Sequence, residues 1–149
     1  MKDDAEMTQD SEDAPLKFAI GLMIKHPTMD PVRISMELGL QPWHSWKAGE
    51  PRVTPVGKRL PGFNPTSYWV AREEATGKRF FFENVMDLVS RLEPSSKFIT
   101  EIVDDGGFVS ITVRLPGGNN IGDSIDWPGL VRIAALKIKL GIEVFPDWN

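Results

Sequence analysis

The sequence predicts an α+β fold: a mixed, largely antiparallel sheet with about three helices on one face. Two observations carry that prediction. Runs of alternating or continuous apolar residues, the pattern of strands, are interleaved with segments whose apolar residues recur at helical spacing. Glycine (13) and proline (12) fall between these segments and punctuate the 149-residue chain, of which 41% is apolar and 26% charged, as in one globular domain.

Residues 16–25 (LKFAIGLMIK) place Phe18, Ile20, Leu22 and Ile24 on one side and Ala19, Gly21 and Met23 on the other, as in a strand packed on both faces. Asp30-Pro31 then offers a helix start, an acceptor for orphan amides followed by a residue with preset φ. The helix over residues 32–38 ends at Gly39, the position of a left-handed cap. Residues 41–66 hold five prolines and three glycines, so they read as a long loop without regular elements. Residues 67–72 read as a strand, with Gly77 in a turn and residues 79–82 resuming the ladder. A helix runs from Glu83 or Asn84 through Leu92, its stripe formed by Val85, Leu88, Val89 and Leu92. Residues 97–103 and 108–115 are rich in β-formers and flank Asp104-Asp105-Gly106-Gly107, a hairpin signal. In the second run Ser110, Thr112 and Arg114 form the wet side. After a flexible stretch at 116–126, a largely apolar helix is expected over residues 129–140, and residues 142–145 form a last strand. A ferredoxin-like order is one candidate. A pseudo-repeat of two halves is another, hinted at by Val32-Arg33-Ile34 and Val131-Arg132-Ile133.

The net charge of −4 is unevenly placed: residues 1–13 hold six acids and one base, −5, leaving 16 bases against 15 acids, +1, in the rest. Residues 1–14 therefore read as a solvated acidic arm and 15–149 as the domain. A body so close to neutral does not predict a nucleic-acid binder. There is no cysteine, which removes disulfides, thiolate nucleophiles and cysteine-ligated metals and fits a reducing, cytoplasmic setting. No apolar run approaches the roughly 20 residues of a membrane-spanning helix.

Few residues point to catalysis. His26 and His44 are the only histidines and neither has a further ligand at a metal-motif spacing, so neither a metal nor another cofactor is expected. His26, at a strand exit before Pro27, reads as structural. The glycines of residues 49–57 and 117–122 lack the lysine and hydroxyl spacing of a phosphate loop, and no Gly-x-Ser-x-Gly elbow occurs. The concentration of chemistry lies in Trp43, His44, Trp46, Arg52, Lys58 and Arg59 of the long loop, followed by Tyr68 and Trp69. Tryptophan supplies rigid contact area and arginine a planar fork for carboxylate or phosphate. This predicts a non-enzymatic binding domain whose basic-aromatic loop takes an acidic protein partner or an anionic small molecule. The alternative is an enzyme with His44 as general base, oriented by Glu50 or Asp30.

The succession His26-Pro27, Asp30-Pro31, Ile34-Ser35, Leu38-Gly39-Leu40 and Pro42, then Trp46, Gly49-Glu50-Pro51-Arg52 and Ser67-Tyr68-Trp69, and finally Leu136 and residues 140–146 (LGIEVFP), resembles an uncharacterised bacterial family, the domain of unknown function DUF 4279. The resemblance spans nearly all of residues 16–146. It implies a small cytoplasmic protein with no established activity, cofactor or catalytic residue. It also directs attention to Gly49-Glu50-Pro51-Arg52 and Ser67-Tyr68-Trp69.

Overall fold

The structure, a computed structural model, describes residues 17–75, 80–118 and 120–146. The acidic arm, the turn at Gly77 and residue 79 lie outside them. The chain is α+β. Its central strand, β1 (Phe18–His26), pairs antiparallel with β5 (Ser67–Ala75) on one side and with β6 (Phe108–Pro116) on the other. A short β2 (His44–Trp46) extends the sheet beyond β5, and β7 (Ile138–Phe145) joins β6 in parallel, giving the order β2-β5-β1-β6-β7. A separate hairpin comprises β3 (Pro51–Val53) and β4 (Arg59–Phe63).

Strand alternation decides which side chains meet the helices. Phe18, Ile20, Leu22 and Ile24 of β1 lie in register with Trp69 of β5 and with Val109, Ile111 and Val113 of β6, and together they form one wall of the core. The other wall comes from α1 (Pro31–Leu38), α2 (Phe81–Leu92), α3 (Ser96–Asp104) and α4 (Trp127–Ala135). α2 packs on β1 and β6, α3 on β6, α1 on β5, and α4 on β7 and α2. Apart from Pro31, the buried apolar helix residues belong to this one core, and among the described residues no helix covers the second sheet face.

Local chemistry explains the element ends. Asp30 caps α1 by accepting from the Val32 amide at 3.0 Å, and Gly39 closes it at φ 64° with its N–H on the Ser35 carbonyl. The start of α2 borrows a cap from a distant loop, where Asp123 accepts from the Phe82 amide at 2.9 Å. His26 is buried at the end of β1, and its Nδ1 accepts from the amides of Thr28 (3.0 Å) and Met29 (2.8 Å).

Four expectations are corrected. Residues 41–66 contain β2, β3 and β4, because proline is tolerated as the first residue of a strand, as Pro51 is in β3, and on a strand with an unpaired edge, as Pro61 is in β4. Residues 97–103 are helical, not a strand: α2 runs through a 3-10 turn (Glu93–Ser95) into α3, whose Phe98, Ile99 and Ile102 share one buried face despite their β-forming side chains. Asp104 to Gly107 is then a helix stop rather than a hairpin. Gly107 N–H bonds the Ile102 carbonyl at 2.9 Å and Gly106, at φ 93°, bonds Val103 at 3.0 Å, the paired bonds of a Schellman cap. A Cβ on Gly107 would run into the Lys25 carbonyl of β1, so glycine is also what lets the cap seat against the sheet. The third correction is at the C-terminal helix, which stops at Ala135; Lys137 takes φ 55°, and Ile138, Leu140, Ile142 and Val144 continue with the two-residue period of a strand. Finally, residues 81 and 82 open α2 instead of resuming a ladder.

The parallel β6–β7 pair distinguishes this order from the ferredoxin-like candidate, whose strands would all pair antiparallel. The two halves also differ: α1 leads from β1 to β2, which β5 separates from β1 in the sheet, whereas α4 joins β6 to its direct neighbour β7.

Candidate functional site: the open face of the sheet

The open face is assembled from the residues that alternate with the core. β2 and β5 contribute Trp46 opposite Tyr68 and His44 opposite Val70. The Trp46 and Tyr68 rings stack with centroids 4.3 Å apart and planes at 18°, and the His44 ring meets Trp46 edge-on at 5.3 Å. Trp43 is anchored by its amide, which donates to the Val70 carbonyl at 2.7 Å, and its ring lies 4.8 Å from the Arg72 guanidinium. Along the same row as Trp46 and Tyr68 come Lys25 of β1 and Phe108 of β6. The Lys25 ammonium is 5.9 Å from the Tyr68 ring and 5.6 Å from Phe108, and Lys139 of β7 approaches Phe108 at 5.0 Å. At the far end of the face Arg114 lies 5.4 Å from the Phe145 ring and 3.4 Å from Glu143.

Four cations therefore rest on aromatic rings across a surface whose acids, among the described residues, are Glu74 and Glu143. Cation–π contact holds a cation where a flexible side chain would otherwise roam. Partial burial pushes the Tyr68 hydroxyl above its ordinary pKa; nearby Arg114 opposes that rise and Glu143 adds to it. Tyr68 thus stays protonated, able to donate a hydrogen bond to an incoming acceptor.

The residues singled out in the sequence divide into three groups. Trp43, His44, Trp46 and Tyr68 come together on the open face. Trp69 does not: one position along β5, it points inward with 0% exposure, and its indole Nε1 donates to Ser35 Oγ at 3.0 Å. Arg52, Lys58 and Arg59 stand exposed on the β3–β4 hairpin, where Gly57 at φ 84° and a Thr54–Lys58 bond pair shape the turn. They have no ion-pair partner among the described residues and share no surface row with the aromatics. Lys25, Arg72, Phe108, Arg114, Lys139 and Phe145 were missed, because they lie on four strands and only the sheet register brings them together.

No acid–base dyad forms around His44 among the described residues. Asp30 is occupied by the α1 cap and by Lys47 at 3.5 Å, Glu50 is exposed, and the rings beside His44 are those of Trp43 and Trp46. Among the described residues no group of three or more His, Asp or Glu side chains is placed to hold a metal ion, and no helix is long and apolar enough to cross a membrane. No family model, no curated protein and no solved structure matches this chain.

Proposed function

We propose that this is a non-catalytic, cytoplasmic docking domain that receives an acidic segment of a partner protein on the open face of its sheet. One observation carries the reading: the cations of the face are already held by the rings. Arg72 takes a face of Trp43, Lys25 and Lys139 flank Phe108, Arg114 takes Phe145, and Trp46 and Tyr68 cover each other. A nucleobase needs free ring faces to stack on, and most of those here are taken, with Trp43 the exposed exception. A carboxylate needs positioned N–H groups, which is what remains. Cations fixed in advance also lower the ordering cost of binding. Arg72 on β5 and Lys139 on β7 are three strands apart, about 14 Å at the usual strand spacing, a footprint for an extended segment rather than one small anion. The absence of cysteine supports a reducing location.

The test is fluorescence anisotropy with a labelled deca-glutamate peptide. Lys25→Gln with Arg72→Gln is expected to weaken binding roughly ten-fold, from about 0.7 kcal/mol per exposed charge contact. Arg52→Gln with Arg59→Gln on the hairpin should leave it unchanged, and added salt should weaken wild-type binding. Failure of the peptide to bind, indifference to the first pair of substitutions, or tighter binding of an oligo-dT of equal length overturns the reading.

A further inference from the structure

The other feature of the surface that asks for a partner is the edge of the sheet at β7. Among the described residues nothing pairs with its outer side. The opposite edge is blunted, since β2 has only three residues and follows Pro42. β7 has eight residues, no proline, and two large apolar side chains that the helices leave uncovered: Ile142 is 53% exposed and Val144 60%. Long apolar edges of this make-up invite strand pairing unless something covers them.

α4 extends the uncovered area. It packs on the edge strand β7 and on α2, and Arg132 reaches across to Ser90 of α2 and to Glu93 just past its end. At 100° per residue, the flank of α4 turned away from Arg132 carries Trp127 and Leu130, and Trp127 is 76% exposed. Because α4 must return from the end of β6 to the start of β7, its first turn lies at the end of the sheet where Ile142 and Val144 are bare.

The β7 sequence, Ile-Lys-Leu-Gly-Ile-Glu-Val-Phe, is complementary to itself when reversed about Gly141. Leu140 then faces Ile142, Ile138 faces Val144, and Lys139 faces Glu143. We infer that the partner of this edge is a second copy of the chain, joined by antiparallel β7–β7 pairing on a two-fold axis at Gly141. Side chains directly opposite in an antiparallel pair share a face. In this register the apolar pairs fall on the helix side, beside Trp127 and Leu130 of both copies. Two symmetry-related Lys139–Glu143 pairs fall on the open face. Such an interface is isologous and closes at two copies, and it makes one sheet of ten strands. The inference does not depend on what the open face binds.

Sedimentation equilibrium of the full chain tests it, the expectation being a reversible species of twice the 16.7 kDa protomer mass. Lys139→Glu alone places like charges opposite each other at both symmetric positions, and so does Glu143→Lys alone. Each is expected to weaken association by at least about ten-fold, and the double exchange to restore it. Val144→Lys, which buries a charge against Ile138 of the second copy, should abolish association. Thermal melts of each variant establish that the protomer is folded. A monomer at every concentration, a dimer indifferent to the single reversals, or one weakened by them and not restored by the double exchange overturns the inference.

Discussion

His26→Ala isolates a single buried hydrogen-bonding group whose role is legible atom by atom. The His26 ring ends β1, and its Nδ1 accepts from both Thr28 N–H (3.0 Å) and Met29 N–H (2.8 Å), which fixes the tautomer with hydrogen on Nε2, 3.4 Å from Asp105 Oδ2. Truncation leaves the Met29 amide buried without an acceptor, at about 1–3 kcal/mol, and the half-buried Thr28 amide poorly served. With the ring's packing also lost, the expected cost is about 2–4 kcal/mol. That is a large part of a typical 5–15 kcal/mol, and at roughly 2–4 °C per kcal/mol it lowers the melting midpoint by about 4–16 °C.

Geometry supplies a sharper control than the alanine. Asparagine places its Oδ1 where Nδ1 stands and can accept from the same two amides; glutamine reaches only the Nε2 position. Urea titrations should therefore rank wild type, His26→Asn, His26→Gln and His26→Ala in falling stability. An alanine variant within about 0.5 kcal/mol of wild type, or glutamine rescuing as well as asparagine, would refute the account, since the acceptor of the buried Met29 amide cannot be that cheap to remove.

Trp69→Ala should cost about 3–5 kcal/mol by emptying the largest site in the core, whereas Trp43→Ala, at a side chain 68% exposed, should stay within about 0.5 kcal/mol; equal losses in denaturant midpoints would contradict the inward placement of Trp69. Arg132 holds the Glu93 carboxyl below its ordinary pKa by hydrogen bonding, so that contribution to stability is present above the ordinary glutamate range and disappears as the pH falls through the lowered value. The stability gap between wild type and Arg132→Gln should accordingly close in acid, and urea midpoints across pH that show a constant or widening gap would count against it.

How much of this could be read from the residues varies with the range of the forces involved. Asp30, Gly39 and the buried stripe of α2 were legible because capping and helical periodicity act within one or two turns. Phe98, Ile99, Ile102 and Val103 misled because side chains that favour strands were held in a helix by packing on β6, and Asp104 to Gly107 misled because the same residues that make hairpin turns make a Schellman cap. Residues 138–140 misled in the other direction: an apolar run following a helix without an intervening glycine gives no local stop, and the stop came from Lys137 in a left-handed conformation, while the strand expected over 142–145 is the second half of β7. Part of the aromatic and cationic set on the open face was found through the cluster of Trp43, His44, Trp46 and Tyr68. The remainder was invisible because Lys25, Arg72, Phe108, Arg114 and Lys139 are neighbours only through strand register, a long-range property.

Net charge says little about either face for a related reason. A balance of +1 outside the acidic arm suggests a surface with no preference for sign, but that sum averages over two surfaces the fold keeps apart. Glu83, Asp87, Glu93, Glu101 and Asp104 outnumber Arg91 and Lys97 on α2, α3 and the turn between them, on the layer opposite the open face, while Lys25, Arg72, Arg114 and Lys139 outnumber Glu74 and Glu143 at the strand positions that alternate with the core. A sheet with helices on one face makes this separation almost unavoidable, because the polar positions of strands and those of helices point to opposite sides of the molecule. At short range an acidic segment would feel mainly the cations beneath it, since a Debye length of about 8 Å at physiological ionic strength screens much of the helical layer beyond roughly 10 Å of packing. Binding of an acidic peptide to a chain of net charge −4 is thus no contradiction, and its fall with added salt should report the local cations rather than the total.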